Sequence, residues 1–123
     1  MNEIGENDAL FENLNMGGHL VNSQIIGFKI YLNDFQLRLE VDFQQKKISG
    51  YMKLIFSDIR EYAFHYSSDH IFYNVEIYKL LKKGSLYYIS FDPEDGDLSK
   101  ISINDNDFIL CGGIEGYFYN SVE

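Results

Sequence analysis

Six carboxylates and one lysine occupy the segment FDPEDGDLSKISINDND, residues 91–107: Asp92, Glu94, Asp95, Asp97, Asp105 and Asp107 against Lys100. Carboxylates at this density suit three kinds of chemistry. They can wrap a hard cation, they can supply a general acid and base, or they can present a negative surface to a basic partner. Calcium takes six to eight oxygen ligands, and a glycine among aspartates is the usual way for a loop to turn around it. Gly96 lies among Asp92, Glu94, Asp95 and Asp97, but the register is wrong for the twelve-residue calcium loop. Counted from Asp92, the position that needs glycine holds Asp97, and the position that needs the bidentate glutamate holds Ile103. General acid–base work requires one carboxyl raised by burial beside an ionised second. A polar segment punctuated by Asp-Pro and Asp-Gly is expected to be a solvated turn instead. The third use remains, and the segment is expected to stay hydrated and free to dock.

Other chemistry-bearing residues are sparse. His65 and His70 have a spacing found in some zinc pairs, yet no cysteine pair or third ligand accompanies them, and His19 stands apart. Neither the Gly-x-Ser-x-Gly elbow nor a phosphate-cradling glycine loop occurs. Cys111 is the single cysteine, so an internal disulfide is excluded, and its place in FILCGG marks it as a small buried apolar residue. No metal, cofactor or catalytic group is expected, and the chain is expected not to be an enzyme.

Charge narrows the partners. Of the net −9, residues 92–107 carry −5, from six acids and one lysine, and residues 1–12 carry −4, from Glu3, Glu6, Asp8 and Glu12. Residues 13–91 are slightly basic, with nine Lys and Arg against seven Asp and Glu. Such a field repels phosphate, which argues against nucleic acid and anionic membranes and for a basic protein partner. Ten tyrosines and ten phenylalanines with no tryptophan add a second signal. Tyrosine is enriched where one end of a ring is dry and the other wet, as at interfaces, although sheets also favour aromatics. Tyr87, Tyr88 and Tyr117, next to the carboxylates in the sequence, are therefore expected to join Asp92, Glu94, Asp95, Asp97, Asp105 and Asp107 in a protein-binding surface.

The elements that must hold this surface are mostly strands. At 123 residues with 46% hydrophobic content, one domain over 1–123 is expected. FQLRLEVDF alternates Phe35, Leu37, Leu39, Val41 and Phe43 with polar residues, the period of a strand buried on one face. IIGFKIYL places Ile26, Phe28, Ile30 and Leu32 on one side, and Asn33-Asp34 supplies a reversal that pairs the two as a hairpin. YMKLIFSDIREYAFHY reads as a strand interrupted at Ser57-Asp58, by a turn or a bulge. Residues 71–83 suit either a helix capped by Asp69 or one arm of a hairpin turning at Lys83-Gly84, with Leu80 across from Tyr87 and Tyr78 from Ile89; aromatic and β-branched residues favour the hairpin. Ser102 and Asp105 have capping-box spacing, which predicts one helical turn over 103–107. FILCGGIEGYFY predicts a last strand broken at Gly112-Gly113. NDALFENLNMGG gives a short N-terminal helix with Leu10, Phe11 and Leu14 on one side. The expected fold is α+β and mostly β: an antiparallel sheet of about six or seven strands, strongly curved or barrel-like, with that one helix.

The last third of the chain, YYISFDPEDGDLSKISINDNDFILCGGIEGY, resembles small, acidic, uncharacterised bacterial proteins that are similar to the immunity partners of polymorphic toxins. The resemblance lies in a Tyr-rich strand ending in Asp-Pro, an acidic turn and Asp-Asn-Asp-Phe-Ile. It implies a toxin-neutralising binder and carries no functional residues over. With no membrane-length apolar run and an acidic N-terminus, the expected location is cytoplasmic. A small-ligand binder or enzyme with an aromatic-lined pocket in a curved sheet is the alternative, and self-association through sheet edges or tyrosine faces is a third.

Overall fold

The computed structural model describes residues 2–17, 23–45, 50–64, 74–75, 77–94 and 98–119. The elements in chain order are β1 (Asn2–Glu6), α1 (Asn7–Gly17), β2 (Ser23–Asn33), β3 (Gln36–Gln45), β4 (Tyr51–Ala63), β5 (Asn74–Val75), β6 (Lys79–Lys83), β7 (Leu86–Asp92) and β8 (Asn106–Tyr119). Seven strands lie in the order β5-β2-β3-β4-β8-β7-β6, all pairings are antiparallel, and β1 adds to β8. Among the described residues the sheet is not closed into a barrel. Among the described residues no helix is long and apolar enough to cross a membrane.

One face of the sheet carries α1. Leu39, Val41 and Phe43 of β3 stand across from Phe56, Leu54 and Met52 of β4, and all six are buried. This is the alternation that the sequence displays, now aimed at the helix. Leu10 and Leu14 reach down from α1 onto that layer, leaving a void of only about 10 Å³ among Leu10, Leu14, Phe56, Cys111 and their neighbours. Leu10 rests directly on Gly116, where an added Cβ would stand 2.7 Å from Leu10 Cδ1. Asn7, at a left-handed φ of 51°, starts the helix and accepts the Ile114 N–H at 3.1 Å. The expected N-terminal helix is thus present, preceded by a strand, β1, that the sequence reading leaves out.

Several local expectations are corrected. The β2–β3 hairpin turns on Asp34-Phe35, one residue later than Asn33-Asp34, with both turn residues at positive φ (52° and 64°). Phe35 is therefore no core residue: it sits at the tip, 99% exposed. Ile26, Phe28, Ile30 and Leu32, the apolar side of the preceding strand, are exposed as well. Phe28 packs edge-on against Phe64, just after the end of β4, at 4.6 Å between ring centroids, but the side chains beyond it towards the turn stay exposed.

No turn interrupts β4 at Ser57-Asp58: the strand is continuous, Asp58 has φ 50°, and the bulge in the pairing to β8 falls just after, between Ile59 and Glu61. β8 is likewise unbroken at Gly112-Gly113. These glycines face Ser57 and Asp58: a Cβ on Gly112 would meet Asp58 Oδ2 at 2.1 Å, and one on Gly113 would meet Ser57 Oγ at 2.6 Å. They make room for the partner strand's side chains, and β8 does not bend away.

Residues 79–92 form the hairpin, not the helix. Its turn is Gly84-Ser85, so Leu80 pairs with Ile89 and not with Tyr87. Gly84 at φ 62° fills the first turn position, which fixes the register one residue beyond the Lys83-Gly84 reversal. Ser102–Asp105 closes a single turn, with the Asp105 N–H donating to the Ser102 carbonyl at 3.1 Å, and β8 begins at Asn106 before any helix can form.

Candidate functional site: a groove roofed by the acidic loop

The loop between β7 and β8 lies over the sheet face that α1 does not cover. Lys79 on β6 and Tyr88 and Ser90 on β7 belong to that face, since Lys79 pairs with Ser90 and Leu81 with Tyr88. Lys79 and Asp105 meet there with both side chains 0% exposed. Lys79 Nζ donates to Asp105 Oδ1 at 2.9 Å, to Oδ2 at 3.1 Å and to the Lys100 carbonyl at 2.7 Å. Asp105 also accepts the Tyr88 hydroxyl at 2.7 Å, the Glu94 N–H at 2.9 Å and the Ser102 N–H at 3.0 Å. A buried carboxylate is tolerated when it is paired and its lone pairs are filled, and here both conditions hold.

The expectation of a hydrated loop is therefore corrected at its C-terminal end. Asp105 and Asp107 are buried, as are Tyr87 and Tyr88. Asp105 pins the loop to the sheet. Tyr87 faces the opposite, helix-bearing side and donates to Asp8 Oδ1 at 2.7 Å, where Lys82 Nζ also donates at 2.7 Å, so it ties the start of α1 to the β6–β7 hairpin. Tyr117 lies eleven residues beyond Asn106 on β8, roughly 35 Å along an extended strand, and donates to Glu115 Oε2 at 2.7 Å. It is not brought to the loop. Asp92 and Glu94 are: Asp92 accepts the Asn106 side-chain amide at 3.5 Å, and Glu94 accepts the Asn104 amide at 3.1 Å and the Ser102 hydroxyl. Asp95, Asp97, His19, His65 and His70 lie outside the described residues. Among the described residues, no three His, Cys, Asp or Glu side chains are grouped to hold a metal ion.

Burial alone would push the Asp105 carboxyl up, but the Glu94 and Ser102 amides, the Tyr88 hydroxyl and Lys79 more than reverse it, bringing it to about 2 from 3.8. Tyr88 is raised by burial and by its bond to that carboxylate. Tyr87 is raised to about 12 by burial first and then by Asp8, and burial raises the Cys111 thiol to about 12. All three stay protonated near neutrality. Because folding lowers the Asp105 pKa, its ionised form favours the native state. That contribution is present in full above the ordinary carboxylate pKa of 3.8 and is lost as pH falls from about 4 towards 2. Stability measured by urea unfolding across this window is expected to drop steeply for the wild type. For Asp105→Asn it should start lower and fall less, and parallel curves would remove Asp105 from the acid sensitivity.

Between the pinned loop and the sheet runs a groove of about 430 Å³, lined by Glu61, Lys83, Tyr88, Ile101, Ser102, Ile103, Phe108 and Leu110. Tyr88 and Phe108 stack at 5.6 Å between centroids and form its floor. Ile101 and Ile103 form its lip, and Ile103 is 98% exposed. Glu61 and Lys83 are exposed, and neither makes an ion pair or hydrogen bond among the described residues. The sequence reading misses Lys79, Glu61, Phe108 and both isoleucines. Two signals were available: a lysine directly before the apolar pair Leu80-Leu81, and Ile-Ser-Ile inside a segment otherwise suited to water.

An open antiparallel sheet with one helix on one face and a loop-roofed groove on the other defines the class of this protein as a small, mostly-β single-helix domain. The chain matches no protein-family model, and comparison with curated proteins and with solved structures finds no match.

Proposed function

We propose that the chain is a non-catalytic protein-binding module that receives an apolar side chain of a basic partner segment in the groove beneath the acidic loop. The observation that carries this reading is Ile103. It stands almost fully in water at the lip of a groove floored by Tyr88 and Phe108, where an unoccupied apolar surface is unfavourable. Glu61 lines the groove and Glu94 is bonded to Ser102 and Asn104 on either side of Ile103, so Lys or Arg flanking the apolar anchor would find opposite charge there. A basic toxin domain, the partner that the sequence resemblance implies, belongs to this chemical class, and a cytoplasmic setting agrees with the single buried Cys111. The stacked rings favour a second reading, a small flat ligand. The exposed aliphatic lip at Ile101 and Ile103, with Glu61 beside the rings, suits a peptide with an apolar anchor and a basic flank better.

The test uses a random displayed peptide library selected on the immobilised full chain. Selected peptides are expected to carry an aliphatic or aromatic residue within a few positions of Lys or Arg, and to lose at least tenfold in affinity on Ile103→Asp. That side chain is solvated already, so its replacement leaves the fold alone. Glu94→Gln should lessen the salt dependence of binding. Acidic selected sequences, or binding indifferent to Ile103→Asp, would exclude the groove; binding of a flat aromatic compound without peptide selection would favour the second reading.

A further inference from the structure

The two margins of the sheet are built differently. β6 is five residues long and carries Lys79, Lys82 and Lys83, the short and charged form in which an edge strand resists pairing with another chain. β2 is eleven residues long, and among the described residues β5 covers only Ser23 and Gln24 of its outer edge. In a hairpin with a two-residue turn the closing pair is hydrogen-bonded, here Asn33 with Gln36, and the pairs then alternate. Tyr31 and Lys29 therefore bond inward to β3. The N–H and C=O groups of Ile30 and Leu32 point outward, with no strand beside them among the described residues. The same two residues expose their side chains, Ile30 by 39% and Leu32 by 69%.

We propose that this edge pairs with the same edge of a second copy of the chain, antiparallel about a two-fold axis at Tyr31. In that register Ile30 of each copy faces Leu32 of the other in hydrogen-bonded pairs, so about four backbone bonds form and the four exposed aliphatic side chains pack together. Lys29 falls across from Asn33 and not from another lysine. Tyr31 faces its counterpart on the opposite side of the sheet, and Lys29 Nζ already lies 4.7 Å from the centroid of the Tyr31 ring within one copy. The edge is thus self-complementary in hydrogen bonds and apolar surface and sets no like charges directly opposite, which is what an isologous contact demands. A contact of this size gives a concentration-dependent dimer. It lies on the margin away from the groove and does not rest on the proposed peptide binding.

Sedimentation velocity over a micromolar-to-millimolar series is expected to show the wild type passing from monomer to dimer. Ile30→Lys, which sets a charge beside the axis at an exposed position, should weaken the dimer at least tenfold with unchanged circular dichroism. Register is tested by mild oxidation. Tyr31→Cys places its sulfurs across a pair whose Cα atoms are about 4.5 Å apart and should cross-link, whereas Asn33→Cys, four residues from its own copy, should not. A wild type that stays monomeric throughout, an Ile30→Lys dimer of undiminished strength, or equal cross-linking of the two cysteine variants would each overturn the proposal. Loss of peptide selection in the groove would leave it standing.

Discussion

Lys79→Met is expected to destabilise the fold by about 3–5 kcal/mol, the usual result of removing one partner from a fully buried ion pair. The methionine nearly preserves the volume, so the loss reports charge and not packing. Asp105 would be left ionised, with its Tyr88, Glu94 and Ser102 donors but no counter-charge, or would have to take up a proton that none of these donors favours. Removing the carboxylate also is not a full remedy. Asp105→Ala deprives the Glu94 and Ser102 amides of their acceptor, and buried N–H groups without partners are themselves unfavourable. The combination Lys79→Met with Asp105→Asn should recover part of the loss, because a neutral amide oxygen still accepts one of those N–H groups. Urea unfolding gives the energies, and hydrogen exchange at Glu94 and Ser102 shows whether the loop has come away. A loss below about 1 kcal/mol for Lys79→Met would mean that the pair behaves as a hydrated surface contact.

The second large effect lies on the opposite face. Leu10→Ala should destabilise by about 2–5 kcal/mol, since Leu10 is fully buried and its neighbours in the sheet cannot all collapse into the space. Gly116→Ala should destabilise by about 1–3 kcal/mol by overpacking, as the new methyl meets Leu10 Cδ1 at 2.7 Å and Leu54 Cδ2 at 3.3 Å. The two changes are complementary in volume, so the double variant should lose less than the sum of the singles. Strict additivity in thermal or urea unfolding would show that α1 does not rest on Gly116 as described.

Legibility varied with how local the controlling interaction is. The alternation of Leu37, Leu39, Val41 and Phe43 identified β3 and its buried face because neighbouring residues on a strand point to opposite sides by geometry alone. Leu10 and Leu14 likewise marked the inner side of α1. The turn at Gly84 was visible as a glycine, but its place in the turn, and hence which residue faces Leu80, depended on the whole hairpin. Phe35 was misplaced for the same reason: its apolar character continued the alternation by one residue, while the reversal had already begun. Phe28, Ile30 and Leu32 were correctly placed on one side of β2, yet all three are exposed, because burial depends on which other elements pack on that side and β2 does not encode that.

The amino-acid order by itself settled the predominance of strands, the single N-terminal helix, the main hairpins and the acidity of the β7–β8 loop. Each of these follows from side-chain period, turn-forming residues or charge within a few positions. Tertiary structure alone decided that Asp105 is an internal pin while Ile103 stands in water. A carboxylate enters the interior only when its charge and lone pairs are met there, and the counter-charge, Lys79, lies 26 residues away on another strand.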